Sequence, residues 1–158
     1  MNSSFAPLLA LVQIGATCPA AAMEGSGALR VQSMPELQST HIAAHVPIGG
    51  DFAAFLLRDL AAYFERQGIL APVVTYELLR DGPTQSGVSF PKFYVWVSAT
   101  ASNGSVVDGA ARVAAVGRTH FEVTDFVTRE QIITQPDSLD LVVPAALIDI
   151  VVERARRP

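Results

Sequence analysis

Between residues 50 and 73 the hydrophobic period of the chain changes, and this change constrains the fold more than any other feature. Phe52, Phe55, Leu56, Leu60, Tyr63 and Phe64 recur at the spacing of one helix face, with Arg58, Asp59, Glu65 and Arg66 assigned to the other. Gly49, Gly50 and Asp51 announce the start of that helix, Asp51 as N-cap, and Gly68 marks its stop. From Val73 the period falls to about 2, the signature of β-strands, and strands are expected at 73–80, 88–100, 106–116 and 120–126. A further strand is expected at 37–46, where Thr40, Ile42 and Val46 are β-branched. Thr128 with Gln131 predicts a capped helical turn, Pro136 and Asp137 a break, and Pro144 the start of a final helix ending in Arg154, Arg156 and Arg157.

The strand connections decide which side chains share a face. Ser102, Asn103 and Gly104 close the strands at 88–100 and 106–116 into a hairpin, Asn-Gly being the strongest short hairpin signal. Taken as a two-residue type I′ loop, Asn103-Gly104 sets Val97 against Ala110, Trp96 against Ala111 and Tyr94 against Val113. At the next turn, a three-residue loop of Gly117, Arg118 and Thr119 sets Val123 against Val113 and Phe121 against Ala115. A two-residue loop there would mix polar and core positions, because a slip of one residue turns every side chain over. The expectation therefore puts Tyr94, Trp96, Phe121 and Val123 on one face, and Arg112, His120, Glu122 and Thr124 on the other.

On this reading the strand at 88–100 is apolar on both sides, which a sheet with one wet face does not show. The helix at 51–66 covers one side, leaving Phe93, Val95 and Val97 in need of a second cover. The final helix, a protein partner, a second copy of the chain or a small apolar ligand would each serve. Phe93, Val95, Val97 and Arg112 are accordingly the expected binding residues.

Residues 1–22 hold no charged side chain and run through Phe5, Leu8, Leu9, Leu11, Val12 and Ile14 to Ala20, Ala21 and Ala22. That is the outline of a secretory signal peptide, which predicts a periplasmic or secreted protein, or a cytoplasmic one if Met23 is the true start. Residues 23–36 read as a flexible lead-in and 37–158 as one α+β domain. Cys18 is the single cysteine, so no intramolecular disulfide is possible. A composition of 50% hydrophobic and 16% charged residues suits a real core, and a net charge of -4 argues against a nucleic-acid partner. No stretch approaches the roughly 20 apolar residues of a membrane-spanning helix.

Few residues carry chemistry. His41 and His45 lie four apart, but on a strand that spacing separates them by about 13 Å, too far for one metal. His120, Glu122 and Arg112 are the acid, base and cation that the expected registers gather, and Asp125 points inward with Phe121 and Val123 or caps the turn at Thr128. Asp125, Glu122 and His120 are thus the candidates for acid/base work, weighed against ordinary salt links on a sheet surface. No nucleophile elbow, glycine-rich phosphate loop, metal set or cofactor motif is present in the sequence.

The order of strand, helix and four antiparallel strands over 37–126 resembles the cystatin-like and NTF2-like layouts, in which a curved sheet wraps a helix. The Gln-x-Val-x-Gly loop of the cystatins is not reproduced by Gln85, Ser86, Gly87 and Val88. The sequence therefore predicts an α+β fold: a curved antiparallel sheet of four to five strands on one long helix, with a C-terminal helix. It predicts an exported, non-catalytic binding or interaction domain that uses an apolar sheet face. The alternative is a small NTF2-like enzyme, of isomerase or hydrolase type, with an acid or base in the sheet pocket.

Overall fold

Ser33 opens the described part of the chain. The computed structural model describes residues 33–87 and 89–157. The expected leader at 1–22, Cys18 and the lead-in up to residue 32 lie outside the described residues. Ser33 donates its N–H to the Glu36 carboxylate at 2.8 Å, and Pro35 presets the first turn, so Met34–His45 forms helix α1. The strand expected at 37–46 is therefore a helix, and the lead-in ends before residue 34. Thr40 fits the helix because its hydroxyl bonds back to the Glu36 carbonyl at 2.9 Å.

Helix α2 (Asp51–Arg66) follows the sequence pattern, with Leu56, Leu60 and Phe64 buried and Phe52, Phe55 and Tyr63 partly so. Gly50 is its N-cap, and Asp51 sits one residue inside, where its charge favours the helix start. Asp59 departs from expectation. It is buried, inside the apolar stripe it was assigned to oppose.

Four strands follow, β1 (Val73–Leu78), β2 (Lys92–Thr100), β3 (Val106–Gly117) and β4 (His120–Thr128), in one antiparallel sheet of order β1-β2-β3-β4. The β2–β3 register differs by one residue from the two-residue-loop expectation: Val97 faces Gly109, Trp96 faces Ala110 and Tyr94 faces Arg112. Gly104 has φ 83°, whereas Asn103 is not in the positive-φ region a type I′ turn demands of both residues. Instead Gly104 N–H bonds to the Ala101 carbonyl and Ala101 N–H to the Ser105 carbonyl. Ser102, Asn103 and Gly104 thus form a three-residue loop, a turn followed by a left-handed glycine.

The extra loop residue exchanges the faces of β3 relative to β2. Ala111 and Val113 join Phe93, Val95 and Val97, while Ala110 and Arg112 join Tyr94 and Trp96. The expected β3–β4 pairs, Val113 with Val123 and Ala115 with Phe121, are present, but the expected three-residue loop is not: Gly117 pairs with His120, leaving Arg118 and Thr119 as a two-residue loop, and the extra residue Val116 in β3 restores the expected pairs. Between Val123 and Asp125 the register shifts, so Thr124 is a bulge and the alternation beyond it inverts. Phe126 therefore stays under α2, against Phe64 at 5.2 Å, and Val127 turns to the other face. At the end of this pair, β4 crosses so close to Gly109 that a Cβ there would lie 2.1 Å from the Val127 carbonyl oxygen.

Thr128 and Gln131 form the expected capping box and start α3 (Arg129–Thr134). A 3-10 turn at Pro136–Leu141 leads to α4 (Ala145–Arg156), for which Pro144 is the N-cap. Ile132, Leu139, Val142, Val143, Leu147 and Val151 of this region pack on Tyr94, Trp96, Ala110 and Val127. The sheet therefore has a core on each face, one under α2 and one under the C-terminal helices. Each fully buried Leu, Val or Phe side chain contributes roughly 1.5–3 kcal/mol. Among the described residues, no helix is long and apolar enough to cross a membrane.

Candidate functional site

The residues expected to bind a partner are core residues. Phe93, Val95 and Val97 are 4%, 0% and 0% exposed and lie under α2 with Leu56, Leu60 and Phe64. The uncovered strip expected from the sequence is absent because the true β2–β3 register leaves one apolar face for α2 and another, centred on Trp96, for the C-terminal helices. Arg112 shares the Tyr94 face, where it pairs with Asp125 across the strands and donates to the Thr124 hydroxyl at 3.1 Å and the Leu141 carbonyl at 3.1 Å. The Thr124 bulge is what turns Asp125 toward Arg112. Asp125 therefore neither enters the Phe121 and Val123 face nor caps the turn at Thr128, which Thr128 and Gln131 cap themselves.

The three acid/base candidates are not gathered. His120 lies at the other side of β4, with Nδ1 3.3 Å from the Asp59 carboxylate, and Glu122 is exposed beside Ala114. Asp59 is the unforeseen member. Its carboxylate accepts from the Phe121 N–H at 2.7 Å, from Arg58 Nε at 2.9 Å and from Arg58 Nη2 at 3.1 Å. Burial alone would raise its pKa, but the Arg58 and Phe121 hydrogen bonds, with the charges of Arg58 and His120, hold it below the ordinary carboxylate value. The signal was available: Asp59 is three residues after Leu56 and one before Leu60, a lone acid inside an apolar stripe.

Beside this pair a cleft of about 490 Å³ is lined by Tyr63, Arg66, Gln67, His120, Phe121, Glu122 and Val123. Burial pushes the Tyr63 phenol up. Chemically the arrangement is a buried carboxylate with an exposed imidazole nitrogen 3.3 Å away at the mouth of the cleft.

On the far face, Arg129 reaches from the start of α3 to Asp108 at 2.5 Å, to the carbonyls of Ala155 and Arg157 at the end of α4, and over the Trp96 ring at 5.4 Å. Arg154 of α4 pairs with Glu77 of β1 at 2.8 Å. These contacts tie α3 and α4 to the sheet, with Arg129 also satisfying helix-terminal carbonyls. His41 and His45, separated on the strand expectation, face each other on α1 with ring centroids 4.2 Å apart. Nδ1 of His45 bonds to the His41 carbonyl at 2.9 Å, and among the described residues no group of three His, Cys, Asp or Glu side chains is placed to hold a metal ion.

The two sheet edges differ. At β4, the Phe121 N–H that points away from β3 is taken by Asp59, and the Thr124 bulge breaks the line of the strand. At β1, Leu79 N–H bonds to the Tyr94 carbonyl at 2.9 Å, and the register runs unbroken from there to Val73. In an antiparallel ladder this turns the amide groups of the odd-numbered residues toward β2. The N–H and C=O groups of Val74, Tyr76 and Leu78 consequently face outward, and among the described residues no strand or helix pairs with them. Val73 and Leu78, at the ends of this edge, are 69% and 39% exposed.

Comparisons with protein-family models, with curated proteins and with solved structures find no match to this chain.

Proposed function

We propose that this protein is a non-catalytic interaction domain that binds an extended strand of a protein partner along the β1 edge. The observation that carries this reading is the open, unbulged row of Val74, Tyr76 and Leu78 amides, set against a β4 edge on which Asp59 takes the Phe121 N–H and the Thr124 bulge breaks the line of the strand. An unbulged edge that carries one charged side chain, Glu77, and that charge already bound by Arg154, is a template for strand addition. Main-chain hydrogen bonds would supply affinity, and the partly buried side chains of Val74 and Tyr76 would supply the apolar contacts. The apolar sheet face has no part in it, since both faces are filled from within the chain.

Display selection of extended peptides on the full chain tests the reading, with Val74→Pro as the counter-selection. Proline at this outward-facing position removes an edge donor and keeps the ladder to β2. Binders lost on Val74→Pro support strand addition; an absence of binders, or binders indifferent to the substitution, opposes it.

The meander of four strands after a long helix supports a cystatin-like or NTF2-like layout without the expected first strand. The charge-free, apolar residues 1–22 support export, which amino-terminal sequencing of the mature protein would test. A second reading, a small acid/base enzyme, has the His120–Asp59 pair beside its cleft in its favour. It requires that His120→Gln abolish hydrolysis of an activated ester such as p-nitrophenyl acetate; turnover equal in the wild type and the variant counts against it.

A further inference from the structure

The β1 edge is complementary to itself. Outward amides alternate along Val74, Tyr76 and Leu78, so a second β1 can approach antiparallel about a two-fold axis at Thr75, at Tyr76 or at Glu77, the last of which sets the two Glu77 carboxylates directly opposite each other. With the axis at Thr75, Val74 pairs with Tyr76 of the second copy, and the next outward position, Pro72, has no N–H to give. With the axis at Tyr76, Tyr76 pairs with its own counterpart and Val74 with Leu78 of the second copy. All three outward residues of each chain then exchange both hydrogen bonds, six in total.

Side chains agree with that second register. Val74, Tyr76 and Leu78 point to the α2 side of the sheet, opposite Ala99, Val97 and Val95. The pairs Val74 with Leu78 and Tyr76 with Tyr76 would therefore extend the existing core as an apolar row across the junction. On the other face Glu77 meets Thr75 of the second copy, so the two Glu77 carboxylates are never directly opposed, and each keeps its own Arg154 at 2.8 Å. The two copies of one strand thus match in hydrogen bonding, apolarity and charge.

We propose that the partner strand is a second copy of this chain, paired through β1 about Tyr76 to give a dimer with one continuous eight-stranded sheet, twice the four strands of each copy. This rests on the reading of β1 as the interaction edge and names its occupant.

The test uses the full chain with Cys18→Ser, which leaves it free of thiols. Sedimentation across a concentration series should show a dimer, and Val74→Pro should weaken it about thirtyfold, because two interchain bonds per dimer are lost. In the same background Tyr76→Cys should form a covalent dimer on mild oxidation, since residue 76 lies on the axis within disulfide reach of its counterpart. Val74→Cys should not, its counterpart lying about 13 Å along the paired strands. A chain that stays monomeric, or a dimer that cross-links equally well at both positions, overturns the proposal. A monomer whose edge still selects peptides in a Val74-dependent way would overturn the self-pairing alone and leave the interaction edge standing. A monomer that selects none removes both.

Discussion

Replacing Asp59 with alanine removes the acceptor of the Phe121 N–H, and the structure gives the cost. That bond is 2.7 Å long, buried and charge-assisted, a class whose loss costs about 1.5–3 kcal/mol when the donor is left unsatisfied. Arg58 lies in solvent, where its attraction for Asp59 is screened, so the Phe121 bond sets the cost. Asp59→Ala should therefore lose about 1.5–3 kcal/mol, read as a fall in the urea midpoint with an unchanged slope. Asp59→Asn, which keeps an acceptor for Phe121 but not the charge, should lose about 1–2 kcal/mol. The sign of the pH dependence follows from the lowered carboxyl pKa in the folded state. The charged form stabilises the fold at pH values above the unfolded pKa of about 3.9, and this contribution is lost as the pH falls through the lower folded value. The gap between wild type and Asp59→Asn should accordingly narrow on acidification below that range. An alanine variant within about 0.5 kcal/mol of wild type would refute the assignment of Asp59 as the closure of the β4 edge.

Gly109→Ala should destabilise by about 3 kcal/mol or prevent folding, because its Cβ would meet the Val127 carbonyl oxygen at 2.1 Å; thermal unfolding reads this directly. Arg129→Ala should cost about 2–3 kcal/mol, leaving Asp108 and the last carbonyls of α4 unpaired, and Arg129→Lys should recover less than half of the loss because one ammonium cannot reproduce the guanidinium fork. Val95→Ala should cost about 2–3 kcal/mol in chemical denaturation, as expected of a fully buried side chain; a variant as stable as wild type would argue that Val95 belongs to a surface.

Helix α2, the four strands and the capped turn at Thr128 were legible because each rests on local signals: a 3.6-residue period, alternation, and a Thr-x-x-Gln box. The pairs of Val113 with Val123 and Ala115 with Phe121 were legible because a slip would have buried charge, although the loop before them is one residue shorter than expected and Val116 makes up the difference. The β2–β3 register was not, because Ala110, Ala111, Val113 and Ala114 are apolar on both faces of β3 and penalise neither choice. One residue of loop length then decided it, and with it the identity of the face that Phe93, Val95 and Val97 occupy. The Thr124 bulge, invisible in composition, moved Asp125 from a supposed interior to Arg112. At α1, β-branched Thr40, Ile42 and Val46 point to a strand, whereas the helix start is specified by residues upstream of them, Ser33, Pro35 and Glu36. The open edge of β1 is a property of sheet order and hydrogen-bond phase, which no single residue encodes.

Amide hydrogen exchange across a dilution series tests the asymmetry of the two edges most directly. In the dilute monomer the amides of Val74, Tyr76 and Leu78 should exchange rapidly and that of Phe121 slowly, with the first three slowing as concentration rises. Slow exchange of those three amides in the dilute monomer, or a Phe121 amide that exchanges as fast as they do, would contradict an open β1 edge opposite a closed β4.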